Sequence, residues 1–155
     1  MTALEALLKL RNGRLDGRPV LLEGTLRVDV EQGFGPSRGG HDAPAILGGE
    51  AATMCEYPPT PVAPDGSTAF YRGDLLLALE LPYPSLATGW RDALGAPDSE
   101  SASPLARAHV KRVWRDAAVV MHEHRNDGEV LRLDVLASIS VDDLGDEKPP
   151  RRERR

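Results

Sequence analysis

The run Val20-Leu21-Leu22-Glu23-Gly24-Thr25-Leu26-Arg27-Val28-Asp29-Val30-Glu31 sets Val20, Leu22, Gly24, Leu26, Val28 and Val30 against Leu21, Glu23, Thr25, Arg27, Asp29 and Glu31. Strict alternation reads as a half-buried strand, because successive side chains of an extended backbone point to opposite faces. It predicts one long first strand from Val20 to Glu31. Gly24 interrupts the inward series, and a position without a side chain in mid-strand is where a strand coils sharply or admits another backbone. A small closed barrel needs such a strand.

Working outward, Thr2 and Glu5 have the spacing of a capping box and predict a short helix from Ala3 to Leu10, stopped at Asn12-Gly13. Downstream, Gln32 to Ser67 is rich in glycine and proline and reads mostly as loop, with a strand expected only over Ala51 to Tyr57. Leu75, Leu77, Leu79 and Leu81 then alternate with Leu76, Ala78 and Glu80, an apolar pattern on both faces that suits a central strand. Pro82 and Pro84 end it. Leu86, Trp90 and Leu94 recur every four residues and predict a helix stopped by Gly95. Ala96 to Pro104 reads as an exposed linker.

Leu105 to Trp114 is expected to be a strand with Arg107, His109 and Lys111 on one face, and a hairpin should follow it. A three-residue loop, Asn126-Asp127-Gly128 with Gly128 left-handed, sets Met121 against Leu133, Val119 against Val135 and Glu123 against Leu131. On the other face it sets His122 against Arg132, Val120 against Asp134 and His124 against Val130. A two-residue turn would slip the register and put Met121 opposite Asp134, so the hydrophobic pattern selects the longer loop.

The expected class is therefore mainly β with one or two short helices. The order of elements, Gly24 in the first strand, the Arg72-Gly73-Asp74 lead into a leucine-rich third strand and the Leu86/Trp90/Leu94 helix after it resemble the oligonucleotide/oligosaccharide-binding (OB) fold. The resemblance is one of fold, covers Leu15 to Val141, and implies a barrel of five strands, or six if the chain splits near Trp114. Residues 1–146 would form the single barrel domain with its N-terminal helix, and residues 147–155 a disordered basic tail.

Charge and composition narrow the function. The 155 residues carry a net charge of −5. The tail EKPPRRERR holds five basic and two acidic residues, or +3, which leaves −8 on residues 1–146. An acidic body argues against a broad basic face for duplex DNA. No apolar run approaches the ~20 residues of a membrane span, and the N-terminus lacks the basic patch, apolar run and cleavage site of a secretory signal. A lone Cys55 allows no internal disulfide, so the expected compartment is the cytoplasm.

Barrels of the OB kind hold single strands by stacking bases on aromatics and tracking phosphates with basic residues. The resemblance thus implies single-stranded nucleic acid as partner, with Phe34, Arg38, Tyr71, Arg72, Arg107 and Lys111 as candidate contacts and the tail adding phosphate contacts. The alternative is a protein partner, the chain acting as an assembly module of a larger complex. His122 and His124 share a strand face and are the candidate metal ligands, with His41, Asp42, Cys55 or His109 needed to complete a site; a solvated strand face accounts for the pair equally. Cys55 as a nucleophile lacks an identifiable activating neighbour and suits a small buried thiol. Gly33 to Gly40, GFGPSRGG, lacks the Gly-Lys-Ser/Thr ending of a phosphate cradle and reads as a loop. A non-enzymatic binding role without a cofactor is the expectation.

Overall fold

The computed structural model describes residues 14–15, 18–19, 24–38, 40–47, 50–60, 63–86, 90–115 and 117–139. In chain order they form β1 (Arg14–Leu15), β2 (Arg18–Pro19), α1 (Arg27–Phe34), β3 (Gly40–Leu47), β4 (Glu50–Tyr57), β5 (Ser67–Arg72), β6 (Leu75–Pro82), α2 (Trp90–Leu94), β7 (Ser99–Ala102), β8 (His109–Trp114), β9 (Val119–His124) and β10 (Val130–Leu136). β1 and β2 form a two-stranded ribbon, and the remaining eight strands form one antiparallel sheet in the order β3-β4-β5-β6-β10-β9-β8-β7. The chain is mainly β, as its alternations imply. The sheet differs from a five-stranded barrel: it has eight strands, with β3 and β7 at its two ends rather than paired into a closed wall. No helix among the described residues is long and apolar enough to cross a membrane.

The strand order hides a repeat. A helix followed by four antiparallel strands occurs twice, α1 with β3 to β6 and α2 with β7 to β10, and the last strands of the two units pair at the centre. Glu80 faces Asp134, Leu79 faces Val135 and Leu81 faces Leu133, so a pseudo-twofold axis passes between Glu80 and Asp134. The local hydrogen bonds repeat about it. Tyr83 N–H donates to the Leu131 carbonyl at 3.0 Å, and Ala137 N–H to the Leu77 carbonyl at 2.9 Å. Gly35 N–H closes α1 onto the Glu31 carbonyl at 2.9 Å and Gly95 N–H closes α2 onto the Arg91 carbonyl at 2.8 Å. Arg38 N–H reaches the Glu56 carbonyl and Asp98 N–H the Val113 carbonyl, at 2.8 and 2.7 Å. Both closing hairpins also carry a bulge, opposite Phe70/Tyr71 in one and at Val130/Arg132 in the other.

The first alternation resolves differently from a strand. Val20 to Glu23 lie outside the described residues, Gly24 sits in an exposed turn at φ 85°, and α1 begins at Arg27. Leu26, Val30 and Phe34 are four apart, so a helical face is embedded in a period-two pattern; Val30 and Phe34 are buried, while Val28 is 59% exposed. Asp29 accepts the Leu26 N–H at 3.2 Å, and Arg27 pairs with Glu31 one turn on at 3.0 Å. These local bonds outweigh the modest helix penalty of two valines. The helix expected over Ala3 to Leu10 lies outside the described residues, as does the tail.

β6 is central, as its leucines imply, but its alternation is broken. The bulge moves Leu77 to the second face of the sheet, where it packs with Ala52, Phe70, Ala78 and Leu136, while Leu76, Leu79 and Leu81 face the helices. β4 falls within one residue of its expected span. β3 and β7 are legible in the sequence only as loop and linker, and β5, expected only as the start of the leucine-rich strand, is a strand of its own. β7 replaces the linker, pairing with β8 although all four of its residues are exposed. In the last hairpin the Met121/Leu133, Val119/Val135, His122/Arg132 and Val120/Asp134 pairs form as the hydrophobic pattern requires, and Gly128 is left-handed at φ 75°. Towards the turn the bulge shifts Glu123 onto Val130 rather than Leu131, and His124 N–H bonds to the Glu129 carbonyl instead of His124 facing Val130.

Two glycines test the close approaches in this fold. Gly24 (φ +85°) has open space where a Cβ would sit, whereas at Gly66 (φ +87°) that Cβ would lie 2.9 Å from the Tyr57 carbonyl oxygen. Gly24→Ala should cost about 1–2 kcal/mol from left-handed strain alone, and Gly66→Ala a further ~1–3 kcal/mol from overpacking. Denaturant melts of both variants check the difference, and equal costs would show that β4 gives way at Tyr57.

Candidate functional site

The two sheet faces sort the candidate residues. On the helix-covered face, Phe34 packs its ring 5.9 Å from that of Tyr57, and the Tyr57 and Tyr71 hydroxyls lie 2.6 Å apart. Tyr57 donates to Glu31 at 3.1 Å, and the Arg27 guanidinium stands 5.6 Å over the Tyr71 ring. Phe34 is 4% exposed and Tyr71 is fully buried, so neither ring offers a face to a base. The core has taken both aromatics for packing. Burial also holds the Tyr57 and Tyr71 phenols well above the ordinary tyrosine range.

Across the axis the corresponding cluster is ionic. Glu123, 1% exposed, is held by Arg91 and by Arg112, the latter at 2.8 Å, and Arg112 also pairs with Glu100. Trp114 donates its indole N–H to the Gly95 carbonyl at 3.0 Å. Cys55 lies buried on this same face of the sheet and burial pushes its thiol up, the opposite of what nucleophilic activation requires. Gly33 and Phe34 of the glycine-rich run belong to the last turn of α1, and Gly35 at φ 89° terminates it.

The second face carries the remaining candidates. Register places Ser101, Lys111, His122 and Arg132 in one row across β7, β8, β9 and β10, with His109 opposite His124 in the next row. Arg132 is bound to Glu80 at 3.2 Å and to Asp134 at 3.1 Å, beside the pseudo-twofold axis. His109 donates Nδ1–H to the Arg107 carbonyl at 2.6 Å, which fixes its ring edge-on to His124 with centroids 5.0 Å apart. The Nδ1 of His124 accepts the Asn126 and Asp127 N–H groups at 3.2 and 3.3 Å. His122 is fully buried, with Nδ1 at 2.7 Å from the Ser103 hydroxyl. That hydroxyl also accepts the Leu105 N–H at 3.1 Å, and when it donates its own proton to Nδ1 the ring proton sits on Nε2. Nε2 is buried without a partner among the described residues.

Ser103 and His122 thus meet without a carboxylate behind the imidazole, and a nucleophile-base-orienter chain is not assembled among the described residues. No group of three or more described His, Cys, Asp or Glu is placed to hold a metal, and His122 and His124 point their rings at different partners.

Of the exposed arginines, Arg38, Arg107 and Arg125 lie along one rim of the sheet. Arg107 precedes β8, and Arg125 beyond β9 donates its N–H to the Ala108 carbonyl at 2.7 Å. Tyr83, 47% exposed at φ 42°, follows β6 and is tied to Leu131 beside it. Arg38 joins the same rim through Glu56 at the end of β4. Arg72 stands at the opposite rim, as the last residue of β5 before the turn into β6. Sequence reasoning misses Tyr83 and Arg125, because only the strand order brings them beside Arg107. No known protein family, curated protein or solved structure matches the chain.

Burial, together with Arg132, Lys111 and His109, holds the His122 imidazole down to about 3. In the unfolded chain it takes a proton below ~6.5. The unfolded state therefore binds more protons between those values, and stability falls as the pH drops through that window. From pH 7 to pH 5 the loss from this residue should be about 2 kcal/mol. His122→Phe, which copies Phe70 across the axis, should remove that part of the slope; pH-dependent denaturant melts of the two proteins check it, and parallel profiles would show His122 charged in the fold.

Proposed function

We propose that the chain is a non-enzymatic binding module that holds single-stranded nucleic acid weakly along the rim carrying Arg38, Tyr83, Arg125 and Arg107. The observation that supports it is this gathering of exposed guanidinium groups about an exposed tyrosine. Strands lie about 4.8 Å apart, so the rim from β4 to β8 spans roughly 24 Å, the length of a few nucleotides. Lys111 stands further along β8 from the end at which Arg107 lies. Tyr83 takes the stacking role expected of Phe34 and Tyr71, whose rings belong to the core. Glu56, Asp127 and Glu129 share the rim and are exposed, and with the acidic body they keep affinity low and strongly dependent on salt.

Fluorescence anisotropy with a short labelled oligonucleotide tests the reading. The full chain should lose affinity log-linearly with salt, and an Arg107→Ala/Arg125→Ala double variant should flatten the slope by about 0.7 for each phosphate that it no longer neutralises. Tyr83→Ser should weaken binding by ~1–3 kcal/mol without changing the slope, since stacking is uncharged. Absence of binding at low salt would overturn the reading and leave a protein partner as the alternative.

A further inference from the structure

Positions related by the pseudo-twofold axis carry opposite chemistry on the second face of the sheet. Where one half has Ala52, Met54, Phe70 and Ala78, the other has His109, Lys111, His122 and Arg132 at the corresponding register positions. The first set is what such a sheet face packs with; Ala52, Phe70 and Ala78 are all buried there. In the second set Arg132 answers Glu80 and Asp134 at the seam, and no such carboxylate partner holds Lys111 or His122 among the described residues. The set places polar groups where the same fold is built without them, and leaves His122 Nε2 buried and unpaired among the described residues, an expensive arrangement for a group with no ligand.

We propose that Ser101, Lys111 and His122 form a seat for a phosphate oxyanion. The three stand in register on adjacent strands, about 4.8 Å apart from one strand to the next, and each presents a donor: a hydroxyl, an ammonium and, with Ser103 donating to Nδ1, the Nε2–H. Lys111 has no hydrogen-bond or ion-pair partner among the described residues. The groups facing this row are Ser101 from β7, His109 from β8, His124 from β9, and Arg132 and Asp134 from β10, with Glu80 from β6 beyond them. Both carboxylates are engaged by Arg132 at the axis, and His122 stands in the row between Arg132 and Lys111. Ser101 is exposed and Lys111 half-buried, so an anion approaches from the β7 edge, where the lysine stem is flexible. This seat rests on the nucleic-acid reading and deepens it by naming where a phosphate would be held, yet its chemistry equally serves free phosphate.

Histidine side-chain NMR on the full-length protein tests it, with the His122 signals assigned by their loss in His122→Phe. Inorganic phosphate should shift them saturably, and chloride at matched ionic strength should not. Lys111→Met, which copies Met54 across the axis, should weaken phosphate binding about tenfold or more. Arg107→Ala/Arg125→Ala should leave it unchanged. His122 signals that do not respond to phosphate, respond equally to chloride, or saturate identically in Lys111→Met would overturn the proposal. Competition between phosphate and the oligonucleotide would identify a backbone phosphate as the occupant; saturation without competition would identify free phosphate. Oligonucleotide binding that survives while phosphate binding fails sinks the seat alone, and the reverse sinks only the rim.

Discussion

The pairing of β6 with β10 is the interaction on which the sheet depends. Each four-stranded unit is closed by its own hairpins, but neither buries its last strand without the other. At the seam Leu79, Leu81, Leu133 and Val135 present their side chains to the helix-covered core, three of them fully buried and Val135 nearly so. Each such side chain contributes roughly 1.5–3 kcal/mol on burial. On the opposite side the same five-pair register brings Glu80 against Asp134, two like charges at the centre of a sheet. That arrangement is tolerable because Arg132 spans both carboxylates. The seam therefore couples an apolar zipper on one face to a charge triad on the other, and a slip of one residue would invert both.

How far the sequence discloses this fold depends on whether local pattern and tertiary pairing agree. They agree in the last hairpin, where a wrong register would bury Asp134 against Met121, and in β6, whose leucines allow no solvent-facing side. They disagree at α1, where Leu26, Val28 and Val30 satisfy a strand period while Val30 and Phe34 satisfy a helix; the decision falls to Asp29, Glu31 and the stop at Gly35. The exposed β7, Ser-Glu-Ser-Ala, carries no hydrophobic signal at all, and its strand character comes wholly from β8 beside it. Bulges are invisible to alternation because they add a residue without altering composition, which is why Leu77 and the Glu123 pairing are displaced by one.

The internal repeat is hidden for a related reason. Its corresponding positions share backbone hydrogen bonds and bulges, but few side chains: Tyr71 answers to Glu123, Glu31 to Arg91 and Cys55 to Arg112. Beneath α1 a phenol pair donates to a helix carboxylate, and beneath α2 helix and strand cations surround a strand carboxylate. The polarity is reversed while the geometry is kept. What the scaffold fixes is the requirement that a polar group entering under each helix find a partner, and two different chemistries meet it.

That contrast separates structural polarity from the kind that points to a ligand. In the clusters beneath the helices the central groups are engaged: Tyr57, Tyr71 and Glu31 with one another, and Glu123 with two guanidiniums. Such clusters are explained by the fold. On the second face His122 meets Ser103 through Nδ1 and leaves Nε2 without a hydrogen-bond partner among the described residues, beside Lys111, whose ammonium has none there either. A phenylalanine occupies the related position in the other half and needs no partner. The scaffold thus supplies its own control: the same site built apolar needs no polar partner, and built from histidine and lysine it keeps a buried ring nitrogen without one among the described residues, the feature on which the proposed phosphate seat rests.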